Sequence, residues 1–161
     1  MPEAAKGVWR WLLLSGVVIA LDQQTKQWML DSFQRFELRP VTAWFNLVLV
    51  FNPGASFSFL AGAGGWQKWL FVTLALAVSA WLLVMLHRHA AERLLPAALA
   101  MIVGGALGNV IDRLRFGAVV DFLDFHAGGY HWPAFNVADS AISVGVVLMI
   151  LQQFLQAKEP K

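Results

Sequence analysis

Three stretches of this chain run 18 residues each without a single Asp, Glu, Lys or Arg: Trp69 to Leu86, Leu94 to Ile111 and Ser140 to Ala157. Wound as helices at about 1.5 Å per residue, each reaches about 27 Å, most of a bilayer's hydrocarbon core. Trp9, Trp11, Trp28, Trp66 and Trp69 stand at the ends of such segments, where interfacial aromatics belong. Of the 161 residues, 58% are hydrophobic and only 14% charged. A soluble domain carries roughly 25% charged residues. The chain reads as one integral membrane domain over residues 1–161.

A further apolar run lies near the start. Lys6 and Arg10 precede the uncharged stretch Trp11 to Leu21, and the pattern continues through Asp22 and Lys26 to Trp28. No small-x-small cleavage site follows, so this reads as a retained first span rather than a signal peptide. The expectation is four spans, about 9–30, 67–87, 94–112 and 139–157, with both termini on one side. Charge does not choose that side. Lys6, Arg10, Arg88, Arg93, Lys158 and Lys161 fall with the termini, against Lys26, Arg35, Arg39, Lys68, Arg113 and Arg115 at the other ends.

Between the first two spans the texture changes. Trp44 to Phe51 is rich in aromatic and β-branched residues, Asn52-Pro53-Gly54 supplies a turn, and Phe57-Ser58-Phe59 alternates. This is a surface β region at about 36–62, on the same face as a loop at about 113–138. The fold class is therefore a mainly α membrane protein: four transmembrane helices, with a small β-sheet and a loop on one face.

Composition narrows the chemistry. Without cysteine there is no disulfide, thiolate ligand or thiol nucleophile. The basic residues are scattered singly and the net charge is +2, so no nucleic-acid footprint exists. Ionisable groups beside spans are costly and mark function by default. Asp121 follows two valines, and Asp139 opens the last span 18 positions later. Two carboxyls brought together can share one proton and activate a water. Asn136 sits close to the N-cap of that last span. Asp124 rivals Asp121 but falls off the alternation of Asp121, Leu123 and Phe125.

Other polar residues have quieter readings. Asp22 and Lys26, four apart, share a helical face and form a structural pair in preference to a proton relay. Gly104, Gly105 and Gly108 suit close helix packing. Asn109, Asp112 and Arg113 end the third span; Arg113 has either a structural carboxylate partner or a substrate carbonyl to bind. His126 and His131 invite a metal reading, but there is no His-Glu-x-x-His and the expected metal complement is none. No Gly-x-Ser-x-Gly elbow supports a serine hydrolase.

Five segments in order carry a resemblance: Asp22-Gln23-Gln24-Thr25-Lys26, Asn52 to Ser58, Gly104 to Arg113, Val119-Val120-Asp121-Phe122 and Phe135 to Ser140. Together they resemble lipoprotein signal peptidase, or signal peptidase II, of bacterial membranes. The resemblance implies an aspartic endopeptidase with four transmembrane helices and a surface β-cradle, cutting prolipoproteins just before a diacylglyceryl-modified cysteine. It implies Asp121 and Asp139 as the catalytic dyad, with Asn52, Asn109, Arg113 and Asn136 lining the site and Asp22, Lys26 and Asp112 as polar support. It implies no cofactor and a location in the bacterial inner membrane, with cytoplasmic termini and the dyad near the outer leaflet. The expected partners are the lipidated substrate and membrane lipid. No obligate protein partner is evident, which suits a monomer. Two alternatives from other classes are a small ion-coupled transporter using Asp22, Asp112 and Asp139, and a non-catalytic membrane assembly protein.

Overall fold

A computed structural model describes residues 3–54, 59–60 and 62–157. It contains α1 (Glu3–Ser32), β1 (Leu38–Thr42), β2 (Phe45–Asn52), α2 (Gln67–Arg88), α3 (Leu94–Phe116), β3 (Val119–Ala127), β4 (Tyr130–His131) and α4 (Val137–Ala157). Helices α2, α3 and α4 are long and apolar enough to cross a membrane. Helix α3 is the axis of the bundle. Leu99, Ala100 and Val103 are buried against Leu82 and Leu86 of α2, with Trp11 and Leu14 of α1 packed around them. Most apolar side chains of α2 and α4 face outward instead, including Trp69, Leu74 and Trp81, and Val147, Ile150 and Phe154. Outward apolar faces without a water-shunning partner are what lipid-facing helices present.

The glycines of α3 set how closely its neighbours approach. A Cβ built on Gly104 would lie 2.8 Å from the Ser15 carbonyl oxygen of α1. One on Gly105 would collide with the Ala138 carbonyl oxygen of α4. Small residues at this spacing let backbones meet where larger ones cannot. Ser15 Oγ also donates to the Ala100 carbonyl at 2.8 Å, joining α1 to α3 by a hydrogen bond across the seam.

The four strands form one antiparallel sheet in the order β1-β2-β3-β4. The stretch read from sequence as a loop at about 113–138 is thereby corrected: α3 continues to Phe116, and 119–127 is a strand paired with β2. Val119, Val120, Phe122 and Phe125 favour extended backbone, and β2 supplies the partner. Gly117, at φ 77°, ends α3 in the left-handed conformation, its N–H donating to the Arg113 carbonyl at 3.0 Å. That cap turns the chain from helix to strand within two residues. The alternation read at Phe57-Ser58-Phe59 falls largely outside the described residues; Phe59 and Leu60 lie in a turn.

The packing yields a direct expectation. Gly105→Val should destabilise the fold by about 1–3 kcal/mol, because the Ala138 backbone cannot give way. Gly16→Ala, where a Cβ meets nothing within 4 Å, should be neutral or slightly stabilising. Thermal unfolding of both variants in detergent checks this; equal melting temperatures would contradict it.

Candidate active site

The first turn of α4 is held by three hydrogen bonds. Asn136 is its N-cap: the Asp139 N–H donates to Asn136 Oδ1 at 2.9 Å, and the Asn136 N–H donates to Asp139 Oδ2 at 3.3 Å. This reciprocal pair satisfies two donors that a helix start leaves open. A third, the Ala138 N–H, donates to Asp22 Oδ1 of α1 at 2.9 Å. Asp139 thus has its carboxylate at the positive end of a helix.

Asp121 is 3% exposed on β3, opposite Val50 of β2. Asn136 Nδ2 donates to its Oδ1 at 2.8 Å, and Asn52 Nδ2 to its Oδ2 at 3.3 Å. Burial pushes its carboxyl up from 3.8 to about 7; the negative charge of Asp139 adds to this, against the pull of the Asn52 and Asn136 bonds and Lys26. Asn109 Nδ2 meanwhile donates to Asp139 Oδ1 at 2.8 Å. Asp121 and Asp139 line one cavity of about 500 Å³, together with Asn52, Asn109 and Arg113. Val119, Trp132, Pro133, Phe135 and Val144 form apolar parts of its wall. Two carboxyls in unequal surroundings on one semi-enclosed cavity can divide acid and base roles around a water.

Comparison with known proteins identifies the family. The family model described as Signal peptidase (SPase) II matches residues 14–155. The chain belongs to the signal peptidase II family. It is 60% identical over 148 residues to a lipoprotein signal peptidase of Azoarcus sp. (strain BH72), covering 92% of this chain and 84% of that one. It is 55% identical over 152 residues to the lipoprotein signal peptidase of Ralstonia nicotianae, covering 94% and 88%. A bacterial membrane enzyme solved by the in meso method superposes with a TM-score of 0.85 at 28% identity, over 94% of this chain and 92% of that one.

Within this family member, the residues singled out from sequence take distinct places. Asn52, Asn109 and Arg113 face the cavity, whereas Asn136 is fully buried behind the two aspartates and does not line it. Its job is to join them. Arg113 makes no ion pair within 4 Å among the described residues; Nη2 donates to the Gly54 carbonyl at 2.9 Å and its guanidinium lies 5.1 Å over the Phe71 ring. Its buried Nε has no hydrogen-bond partner there. Of its two sequence readings, the carboxylate partner is therefore not found. Asp22 and Lys26 do pair, at 2.8 Å, and Asp112 joins them at 2.8 Å from the same ammonium.

Asp124 belongs elsewhere. It accepts from Asn46 Nδ2 at 2.7 Å and lies 2.8 Å from His131 Nδ1. Burial pushes this carboxyl up, but the Asn46 and His131 bonds outweigh it and leave it below the usual range. His126 stacks on His131 with ring centroids 4.9 Å apart. Sequence reasoning passed over Asn46, the cross-strand partner of Asp124, and Gln23, whose Nε2 donates to Asp112 Oδ1 at 2.9 Å. Only the strand register identifies the first; the adjoining Asp22 was the available signal for the second.

The raised carboxyl carries a stability signature. Between pH 3.8 and about 7 the folded state keeps a proton on Asp121 that the unfolded chain has lost. The folded state binds more protons there, so stability falls as pH rises through that window and levels off above it. Asp121→Asn should therefore melt higher than the unsubstituted protein above the window, with the gap closing below it. A gap independent of pH would contradict this origin.

Proposed function

We propose that this chain is a membrane-edge aspartic endopeptidase that removes signal peptides from diacylglyceryl-modified prolipoproteins, cleaving before the lipidated cysteine, with Asp121 and Asp139 as its dyad. The observation that carries the reading is the sharing of one cavity by these two carboxyls, in a chain whose relatives bear the name lipoprotein signal peptidase. The transporter alternative has less to stand on: Asp22, Lys26 and Asp112 are occupied with one another.

In the catalytic step, the Asp139 carboxylate takes a proton from a water between the dyad, and the oxygen attacks the scissile carbonyl. Protonated Asp121 donates to that carbonyl oxygen. Collapse of the tetrahedral intermediate returns a proton to the leaving amine and breaks the C–N bond. Arg113 and the amides of Asn52 and Asn109, which line the cavity, orient the peptide. This chemistry needs no metal or organic cofactor. Acyl chains lying along the apolar helix faces would contribute roughly 0.8 kcal/mol per buried CH₂.

The topology belongs to the same proposal. Helix α1 is a fourth span: Leu13, Val17 and Leu21 face outward along it, between exposed Trp9 and Trp28. Four spans put both termini on one side. Cytoplasmic termini and a dyad near the outer leaflet of a bacterial inner membrane are the orientation that the likeness to signal peptidase II implies. The helices and sheet form a self-contained monomer.

Purified protein in detergent should cleave a diacylated prolipoprotein and leave its unlipidated form largely uncut. Asp121→Asn and Asp139→Asn should each lower turnover by about 10²–10⁴-fold while the protein stays folded. Turnover should also fall as pH rises past about 7, where Asp121 gives up its proton. Equal processing of both substrates, or full turnover in either variant, would overturn the reading.

A further inference from the structure

The buried charges beneath the cavity reach further than one another. Lys26 Nζ lies 2.8 Å from Asp22 Oδ2, 2.8 Å from Asp112 Oδ2 and 3.0 Å from Asn109 Oδ1. An ammonium has three protons, and each has its acceptor here. Every one of those acceptors leads to the dyad. Asp22 Oδ1 takes the Ala138 N–H at 2.9 Å, and Ala138 immediately precedes Asp139. Asp112 Oδ2 takes the Val120 N–H at 3.0 Å, and Val120 immediately precedes Asp121. One ammonium therefore spans the two backbones that carry the catalytic carboxyls.

The third contact fixes an amide. Lys26 Nζ and Asn136 Nδ2 both donate to Asn109 Oδ1, at 3.0 and 3.3 Å. Turning that amide over would press its NH₂ against an ammonium. With Oδ1 held, Nδ2 must face Asp139 Oδ1, 2.8 Å away, where it favours a carboxylate over a neutral acid. A pair that only stabilised the fold would need Asp22 and Lys26 alone.

We propose that Lys26 is a positioning residue that sets the spacing of Asp121 and Asp139 and keeps the negative charge on Asp139, acting through Asp22, Asp112 and Asn109. This rests on the proteolytic reading of the dyad. The charged groups that face one another here are Asp22 and Lys26 from α1, Asp112 and Arg113 from α3, Asp121 from β3 and Asp139 from α4. Two cations thus meet four carboxyls, and a single proton shared by the dyad leaves the group with one excess negative charge. The asymmetry of the support decides where that proton rests. Each carboxyl accepts two amide donors, Asp139 from Asn109 and the Asn136 N–H, Asp121 from Asn136 Nδ2 and Asn52. Only Asp139 also stands at a helix start; Asp121 lies in a strand with no helix dipole to add to its bonds.

The test is the double variant Lys26→Met/Asp112→Asn. It preserves the formal charge of the Asp22–Lys26–Asp112 cluster and leaves an amide oxygen for the Val120 N–H. Cleavage of a diacylated prolipoprotein in detergent is followed across pH. The expected result is a kcat at least about 10-fold lower with KM within about 2-fold. The acid limb of the kcat profile should also move up by about one pH unit or more. Unchanged kcat and profile, or a loss of kcat with the acid limb unmoved, would overturn the proposal. Should the double variant fail to fold, Asn109→Asp keeps an oxygen for Lys26 and removes the donor to Asp139; the same upward move is expected, and an unmoved limb rejects it. Turnover persisting in Asp139→Asn would instead strike the dyad reading, and this proposal with it.

Discussion

A lysine and two aspartates sealed from solvent, Lys26 with Asp22 and Asp112, hold the structure together at the one place where helices and sheet must agree. Taking charges out of water costs several kcal/mol per ion unless geometry and hydrogen bonds replace the lost hydration. Here they are replaced almost atom for atom. Asp22 divides its oxygens between Lys26 and the Ala138 N–H; Asp112 divides its own between Gln23 on one side and Lys26 with the Val120 N–H on the other. Because the donors to these carboxylates include backbone N–H groups of α4 and β3, the cluster cannot form unless those elements dock. Removing one member would leave a buried charge unpaired, which is why the arrangement fixes a conformation more than it adds net stability.

The second consequence concerns the two carboxyls above it. They differ because their secondary structures differ. Asp139 occupies a helix start, where open N–H groups and the dipole favour charge. Asp121 occupies a strand whose own backbone groups are spent on β2, so burial dominates and its carboxyl stays protonated up to about 7. Placing one carboxyl on each kind of element yields the inequality that acid–base division requires. No strain or metal is needed to create it. Asn136 then ties the two together, capping the helix with one end of its amide and donating to Asp121 with the other.

The long apolar runs made α2, α3 and α4 legible in the sequence, because 18 uncharged residues admit few other outcomes. The β2 strand was legible from its aromatic and β-branched texture. The β3 strand was not, although its residues favour extension, because its partner lies some 70 positions earlier and pairing of that range leaves no local mark. Alternation still separated Asp121 from Asp124: three apart in a strand, they point to opposite faces. Asp124 duly meets Asn46 and His131 away from the cavity. The pairing of Asp112 with Lys26 was illegible for the same reason of distance. Asn136 was legible as a cap but not as a residue sealed behind the site.

Helix packing and the charge cluster are finally one constraint rather than two. A Cβ on Gly108 would lie 2.7 Å from Asp22 Oδ2, the oxygen that meets Lys26. A Cβ on Gly105 would push on the Ala138 carbonyl, at the residue whose N–H Asp22 grips. The glycine stripe of α3 therefore does what small residues do between membrane helices, and it also clears room for a carboxylate between α1, α3 and α4. In lipid there is little hydrophobic drive to press helices together, so contact must come from close packing and polar bonds. The same few residues supply both. A side chain at those glycines would open the seam, part Asp22 from the start of α4, and shift Asp139 relative to Asp121 by the same displacement.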